Sequence, residues 1–441
     1  MGPNCDEHDG TRVQFLTTCT RQIPDEVACA CGTGSFAGVM TRLIILIAVL
    51  LGGCTTAAPG PAAAAPTLTL GPSYAWATFN ARGITASGAA GMADRARGRF
   101  LTIEDPARIA SISKLVVAIG VMRLVEQGWL DLDRDVSDYL GWRLRNPAFP
   151  DRPITLLLLL SHRSSLKDDI EYWAIPLGAT LQQTLANPVA FDPAHAPGSY
   201  FRYSNLGFPV IASVLEKASG ERFDALMARL VLRPLGLSAC FNWSACGSGA
   251  IERAVVLTQP DGAVIRDDLG ARPPACPVLA PNGCDLATYR LGDNGALFSP
   301  QGGLRISVHD LTTVGRMLMS GGMHGRIRFL RQASVTMLTT PLWTFDGSNG
   351  ANEDGFYCAY GLAVQRLPVA NAGCHDDLFG GARAMWGHAG DAYGVRSGLW
   401  IDPVRHTGIA FLSTANGDDP PRGAHSAYRA IEEQLAARLG R

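Results

Sequence analysis

RIASISKLVVAIG, residues 108–120, contains one of only three lysines in a chain of 441 residues. Lysine and arginine together number 38, so arginine carries nearly all the positive charge of this protein. Lys114 lies three residues after Ser111, and the apolar residues around it predict a helix over 111–127 that ends before Gly128. Because residues i and i+3 are neighbours on one helix face, the two side chains should point the same way.

A serine and a lysine on one helix face can act as a nucleophile and its base. A hydroxyl is a weak nucleophile until a base removes its proton, and lysine can be that base when burial or nearby positive charge lowers its pKa. Arginine cannot, because it stays protonated. At the helix start, the backbone N–H of Ser111 and the positive end of the helix dipole would also lie near a developing oxyanion.

The spacing alone is weak evidence, because a helix-capping serine and a surface lysine produce the same pattern. It occurs again at Ser164-Ser165-Leu166-Lys167, where the next residues, DDIEYW, do not continue an apolar helix. Lys167 is therefore predicted to form a solvated ion pair with Asp168 and Asp169.

Two further motifs accompany Ser111-Ile112-Ser113-Lys114 in order along the chain. Tyr203-Ser204-Asn205 is predicted at the start of a helix, and His388-Ala389-Gly390 on a strand. Together they resemble the S-x-x-K, Y-x-N and K-T-G or H-x-G motifs of the serine β-lactamase and penicillin-binding-protein group. The Tyr and the His indicate its class C β-lactamase-like branch, which includes esterases, D-amino-acid-specific peptidases and amidases. LLSHRSSL, VLRPLGLSAC and QGGLRISVHDL also match that branch, so the resemblance covers roughly residues 72–440.

The resemblance implies a role for each motif residue. Ser111 would attack the substrate carbonyl and form an acyl-enzyme, with Lys114 accepting its proton. Tyr203 would relay the proton to the leaving group and activate the deacylating water; with an unperturbed pKa of about 10, it would need cationic neighbours to act as a base. Asn205 would bind Lys114 or the substrate amide, and helix capping is a compatible alternative.

His388 departs from the β-lactamase pattern, which has Lys at this position. A His with an unperturbed pKa of about 6.5 is mostly neutral at pH 7. It would donate a hydrogen bond to Tyr203 or to the tetrahedral intermediate, but would attract an anionic substrate only weakly. Gly390 would let the substrate approach the strand edge. The N–H of Asp391 would be the second oxyanion donor beside that of Ser111, with the Asp391 side chain facing away or repelling anions.

Other polar and aromatic residues carry weaker signals. Tyr172 and Trp173 are candidates for an acyl pocket, and core packing is an alternative with at least equal support. His162, in LLSHRSSL, matches a position of the family and is interpreted as structural. The remaining histidines show no metal-ligand spacing, so neither a metal nor a cofactor is predicted.

The order of the predicted elements favours an α+β fold. Strand patterns at both chain ends, over 74–93 and 384–414, enclose a mainly helical middle. Helical patterns cover 111–127, 153–162, 205–219, 222–233, 308–321 and 424–440. We therefore expect one antiparallel sheet built from N- and C-terminal segments and flanked by helices, with an inserted mainly helical lobe. The family resemblance implies the same β-lactamase-like fold.

An export signal is predicted near the N-terminus. MTRLIILIAVLLGGC, residues 40–54, has a positive Arg42 followed by nine unbroken apolar residues, too few to span a bilayer. Its last four residues resemble a bacterial lipobox with Cys54 as the lipidation site, and an ordinary signal peptide is the alternative. Because a signal should begin a chain, Met40 is the predicted start and residues 1–39 a mis-assigned extension.

The segments after the signal complete the predicted organisation. Residues 55–70 form an Ala/Pro tether and residues 71–441 the hydrolase domain. The predicted location is the periplasm or cell envelope, with the lipid on the N-terminus as the membrane contact.

Six cysteines follow Cys54, and an even number in an exported protein suggests disulfides. Nearest-neighbour pairing is the simplest connectivity, and free buried thiols are the alternative. The nearest-neighbour pairs are Cys240–Cys246, Cys276–Cys284 and Cys358–Cys374. With a net charge of −1 and no basic tract, the chain is not expected to bind nucleic acid.

Three functions remain open at this stage. The first is an exported serine hydrolase that cleaves a small-molecule ester, an amide or a peptide through a Ser111 acyl-enzyme. The second, within the same fold, is a penicillin-recognising D,D-peptidase or β-lactamase, which His388 disfavours. The third is a catalytically silent lipoprotein that binds cell-wall material, which the filled motif positions disfavour. Neither the natural substrate nor the oligomeric state follows from the sequence.

Overall fold

The computed structural model describes residues 72–265 and 274–440. The predicted extension 1–39, the signal 40–54 with its lipidation site Cys54, and the tether 55–70 lie outside these ranges. The strands described are β1 Ser73–Asn80, β2 Ile84–Ala90, β3 Met92–Asp94, β4 Arg99–Phe100, β5 Ala107–Arg108, β6 Cys240–Phe241, β7 Leu304–Ile306, β8 Met323–His324, β9 Ile327–Arg328, β10 Trp343–Thr344, β11 Ala359–Tyr360, β12 Gln365–Leu367, β13 Met385–Ala392, β14 Val395–Asp402 and β15 Thr407–Thr414. The α-helices described are α1 Ile112–Glu126, α2 Ser137–Leu140, α3 Leu156–Leu160, α4 Leu181–Thr184, α5 Gly207–Ser219, α6 Phe223–Met227, α7 Ser248–Arg253, α8 Val308–Met319, α9 Gln332–Thr339 and α10 Ala430–Ala436.

The main sheet joins the two ends of the chain. Its strand order is β10-β11-β12-β13-β14-β15-β1-β2, and each neighbouring pair is antiparallel. The N-terminal β1 pairs with the C-terminal β15 along its whole length, from Ser73 opposite Thr414 to Asn80 opposite Thr407. The predicted α+β fold, with its sheet built from N- and C-terminal segments, is confirmed.

Helices cover both faces of this sheet because its side chains alternate between them. On β15, Ala410 and Leu412 belong to the large core that includes α1 and α8, whereas Ile409 and Phe411 face a second cluster with Leu435 of α10. Helix α1, which begins directly after Ser111, is almost wholly buried. The nucleophile candidate is thereby fixed to the core of the molecule.

The inserted lobe lies between α1 and β7 and contains three of the six predicted helices, those at 153–162, 205–219 and 222–233. Helix α5 ends at Gly220, which adopts a left-handed backbone with φ of 67° that glycine accepts without steric cost. The C-terminal helix begins at Ala430, so the predicted start at residue 424 is wrong. The Glu433 carboxylate accepts hydrogen bonds from the N–H groups of Ala424 and His425, which hold that segment as a turn.

Disulfides and membrane contacts can be compared with the sequence only in the described ranges. The three nearest-neighbour disulfides are present, at Cys240–Cys246, Cys276–Cys284 and Cys358–Cys374. None of the helices in these ranges has the length and hydropathy required to cross a membrane.

Candidate active site

The turn that presents Ser111 is held by a buried hydroxyl. Ala110 has a φ of 51°, a left-handed conformation that non-glycine residues seldom adopt. The Ser113 hydroxyl donates to the Ala110 carbonyl at 2.6 Å and accepts from the Leu304 N–H at 3.1 Å. Ser111 stands at the N-terminus of α1, and its hydroxyl does not cap the helix. The oxygen is therefore available to the side chain one turn further along.

The amine of Lys114 reaches that oxygen and two others. Its Nζ lies 2.9 Å from Ser111 Oγ, 2.7 Å from Asn205 Oδ1 and 2.9 Å from the Gln301 carbonyl oxygen. Two of these partners, the amide oxygen and the carbonyl oxygen, can only accept hydrogen bonds. A neutral amine that donates to both of them has its lone pair left for Ser111, the one partner with a proton to give.

Burial allows the Lys114 amine to be uncharged near neutral pH. Lys114 is completely buried, and this desolvation lowers its pKa to about 7, against the opposing attraction of the Asp168 carboxylate. Nearby positive charge, the other cause that could lower the pKa of a lysine, does not contribute to this shift. The lysine can therefore exchange its proton in the range where most enzymes work.

Asp168 anchors the Tyr203-Ser204-Asn205 segment and is the main residue that sequence reasoning missed. Its carboxylate accepts hydrogen bonds from the Ser204 hydroxyl, the Asn205 N–H and side-chain amide, and the Leu206 N–H, at 2.8 to 2.9 Å. These bonds hold residues 204–206 directly before α5, which begins at Gly207, two residues after the predicted start at Asn205. Lys167 pairs with Asp169 as predicted, at 2.7 Å, but Asp168 does not belong to that pair.

The aromatic ring of Tyr203 lies over the Lys114 amine. Lys114 Nζ lies 4.9 Å from the centre of the Tyr203 ring, which stacks on Tyr357 at 4.7 Å and packs at a tilt against His162 at 4.3 Å. Burial raises the pKa of Tyr203 well above its usual value, although the hydroxyls of Ser111 and Tyr357 oppose that shift. The Tyr203 hydroxyl has no partner of good hydrogen-bond geometry within the described ranges, and Tyr203 is a neutral phenol.

His388 lies beside Tyr203 without a hydrogen bond to it. The two ring centres are 6.3 Å apart, and His388 Nε2 instead lies 2.7 Å from the Tyr360 hydroxyl. The predicted His388–Tyr203 hydrogen bond is therefore not formed, because Nε2 and Nδ1 both have other partners. Burial, aided by the charge of Lys114, lowers the pKa of His388 to about 3, so the ring is neutral at pH 7, as predicted.

The β13–β14 hairpin directs the Asp391 N–H toward the cleft. Its turn, Tyr393-Gly394, has positive φ at both residues, which is typical of a two-residue type I′ hairpin. In such a hairpin the closing pair, Ala392–Val395, is hydrogen-bonded and the next pair, Asp391–Arg396, is not. The N–H of Asp391 therefore points away from β14. Its carboxylate forms an ion pair with Arg396, which compensates the negative charge that looked unusual in the sequence.

Gly390 packs directly against the start of the nucleophile helix. A Cβ atom at this position would lie 3.3 Å from the Ser111 nitrogen and would clash with the Ile109 carbonyl and the Ser397 hydroxyl. Only glycine lets β13 approach so closely. This contact places the Ser111 nitrogen directly beside Gly390 on β13.

The cleft in front of Ser111 has a volume of about 740 Å³ and mixed but mainly apolar walls. Tyr172 and Trp173 line it, in agreement with the acyl-pocket interpretation. The cleft wall also contains residues from the loops closed by two disulfides, Cys240–Cys246 and Cys276–Cys284. Within residues 72–265 and 274–440, no group of three or more His, Cys, Asp or Glu side chains is arranged to hold a metal ion.

A family model described as Beta-lactamase matches residues 70–434. This chain belongs to the beta-lactamase family. The resemblance drawn from the three motifs is thus confirmed.

Individual relatives share shorter segments. Esterase EstB from Burkholderia gladioli is 33% identical over 170 residues, which are 34% of this chain and 42% of EstB. The D-alanyl-D-alanine-carboxypeptidase/endopeptidase AmpH from Escherichia coli is 31% identical over 139 residues, 31% of this chain and 36% of AmpH. The chain thus spans less than half the length of these curated relatives. The octameric penicillin-binding protein homologue from Pyrococcus abyssi has a TM-score of 0.60 at 21% identity, covering 84% of this chain and 74% of that one.

Because the chain contains only three lysines, the titration of Lys114 can be measured directly. In protein labelled with ¹³C-lysine, one Cε resonance should titrate with a midpoint of about 7, because burial disfavours the charged amine. That resonance should disappear in Lys114→Met and remain in Lys167→Met, the matched change in the second S-x-x-K segment. A Lys114 resonance that titrated near the unperturbed value of about 10 would contradict this assignment.

Proposed function

We propose that this protein is an exported serine hydrolase that cleaves esters or amides through an acyl-enzyme on Ser111. The hydrogen-bond set of Lys114 carries the proposal: two of its three partners can only accept, so its lone pair is left for the Ser111 proton. A pKa of about 7 lets Lys114 accept that proton near neutral pH. Because the amine is protonated below this value, activity should rise as the pH increases through 7.

Acylation follows from the positions of these groups. The Ser111 proton moves to Lys114 as Oγ bonds to the substrate carbonyl carbon, and the carbonyl electrons form an oxyanion. The N–H groups of Ser111 and Asp391 receive that oxyanion. When the intermediate collapses, the Tyr203 phenol gives its proton to the leaving group and takes one from the Lys114 ammonium. Water then attacks the acyl-enzyme by the reverse sequence, which releases the acid and restores the Ser111 hydroxyl.

Neutral groups around the nucleophile favour esters and neutral amides over anionic substrates. His388 stands where the β-lactamase pattern has a permanent positive charge, and its low pKa keeps it uncharged. The apolar cleft walls and the similarity to EstB support the esterase assignment. The match to AmpH supports the second candidate, a penicillin-recognising D,D-peptidase or β-lactamase.

Export and membrane attachment are part of the proposal. Their support is the signal-like segment 40–54 that ends at Cys54. The three disulfides of the described ranges agree with it, because disulfides persist in oxidising compartments such as the periplasm.

Replacement of the nucleophile tests the acyl-enzyme. Ser111→Ala should lower kcat for a p-nitrophenyl ester at least about 10³-fold and should abolish labelling by a fluorophosphonate probe. Ser164→Ala, the equivalent change in the second S-x-x-K segment, should keep both activities because Ser164 does not contact Lys114. Undiminished labelling of Ser111→Ala would place the nucleophile elsewhere, and a wild-type protein inert to probe and esters would favour the silent lipoprotein.

A comparison of substrates separates the two enzymatic candidates. The wild-type protein should hydrolyse short-chain p-nitrophenyl esters without forming a stable adduct with a fluorescent penicillin, because no permanent cation at position 388 attracts the penicillin carboxylate. Ser111→Ala serves as the blank in both assays. A penicillin adduct that depends on Ser111 would instead support the D,D-peptidase or β-lactamase.

Metabolic labelling tests the anchor. When the full chain is produced in a bacterial host supplied with an alkyne fatty acid, the mature protein should incorporate the label and fractionate with membranes. Cys54→Ser should lose the label, whereas Cys29→Ser, in the predicted extension, should retain it. An unlabelled wild-type protein in the soluble envelope fraction would indicate an ordinary signal peptide.

A further inference from the structure

A line of hydrogen bonds connects the Tyr203 segment to the oxyanion strand through three buried side chains. The Ser204 N–H donates to His162 Nδ1 at 3.1 Å, and His162 Nε2 lies 3.2 Å from the Tyr360 hydroxyl. The same hydroxyl lies 2.7 Å from His388 Nε2, and His388 Nδ1 contacts the Ala389 carbonyl. None of the three side chains is more than 2% exposed.

The chemistry of the two ends fixes every proton along this line. Because a backbone N–H can only donate, His162 Nδ1 accepts, and the neutral ring carries its proton on Nε2. That N–H donates to the Tyr360 oxygen, so the Tyr360 hydroxyl donates to His388 Nε2. His388 then carries its proton on Nδ1 and donates it to the Ala389 carbonyl. The two histidines are thus opposite tautomers with the phenol between them.

The line ends where β13 lacks a neighbouring strand. Strand β12 pairs with β13 only as far as Gly387, and Ala389 is the next residue whose backbone groups face outward in the hairpin alternation. The Ala389 N–H donates to the Gln365 side-chain oxygen at 2.8 Å, and the Ala389 carbonyl binds His388. Side chains thereby satisfy the edge of the strand just before Gly390 and Asp391 enter the cleft.

We propose that Tyr360 is a positioning residue for the hydrolysis reaction, and that with His162 it holds His388 in the Nδ1–H tautomer and fixes the oxyanion strand relative to Tyr203. His388 itself then exchanges no proton with substrate; its function is to orient the Ala389 peptide. The inference rests on the proposed function only for its kinetic consequence. The arrangement of protons is a property of the resting protein.

The histidine tautomers test the proposal without any substrate. In ¹⁵N-histidine-labelled wild-type protein, ring-nitrogen spectra between pH 6 and 8 should show His388 protonated on Nδ1 and His162 on Nε2. The variants His388→Gln and His162→Asn assign the two signals among the nine histidines of the chain. In Tyr360→Phe, His388 should lose its single tautomer because Nε2 no longer has a donor. The same tautomer in both rings, or a charged His388, would overturn the proposal.

Kinetics provide the second measurement. Tyr360→Phe should lower kcat about 10- to 100-fold, the effect expected from misplacing reactive groups by a fraction of an ångström to about 1 Å, with KM nearly unchanged. Tyr428→Phe is the matched control, since this buried phenol belongs to the cluster with α10 and has no hydrogen-bond partner within the described ranges. Equal kcat values in Tyr360→Phe and wild type would overturn the positioning role. Inactivity of the wild type would refute the proposed function and leave the tautomer result standing.

Discussion

The buried amine of Lys114 is the constraint on which the site depends. An amine with no contact to water must find its hydrogen bonds within the protein, and three separate parts of the chain supply them: the nucleophile turn, the segment fixed by Asp168, and the loop before β7. Because the last two offer only acceptors, the orientation of the lone pair is decided before a substrate arrives. The carboxylate of Asp168 holds Asn205 in place and also attracts the positive charge of the protonated amine.

The side chains around the nucleophile are largely uncharged for one shared physical reason, which is burial. Burial lowers the pKa of Lys114 and His388 and raises that of Tyr203. These three groups offer little fixed charge to hold an anion in the ground state, and Arg108 is a basic side chain in the cleft wall. In the proposed mechanism, negative charge that develops on the carbonyl oxygen meets the backbone N–H groups of Ser111 and Asp391 at α1 and at the β13–β14 hairpin. The proposed geometry is therefore matched to the short-lived negative charge on the oxygen of the tetrahedral intermediate.

The sequence predicts those parts of the site that depend on local geometry. Ser111 and Lys114 share a face because of the helical repeat, and the sheet follows from strand patterns at both chain ends. The convergence of Tyr203 and His388 on that face required the family resemblance, since no local rule joins residues so far apart. The roles of Asp168 and Tyr360 were not predicted, because they depend on which distant parts of the chain pack together. Tyr203, one of the two partners expected for His388, is not its partner in the structure, because several hydroxyls could satisfy an imidazole and only packing selects Tyr360.

The two disulfide-closed loops have a consequence for how this protein can diversify. They contribute Trp243 and Val278 to the cleft wall, and their covalent rings are short, with sequence separations of 6 and 8. The first ring is joined to the segment before Ser111, because Cys240 and Phe241 form β6 beside β7 and Asn242 accepts a hydrogen bond from Arg108. The second ring carries the half-exposed Leu279 in the cleft wall. Side-chain exchanges there can remodel the shape offered to incoming molecules while the residues around Ser111 keep their positions. Substrate selectivity can thus change in evolution without a change in the residues around Ser111.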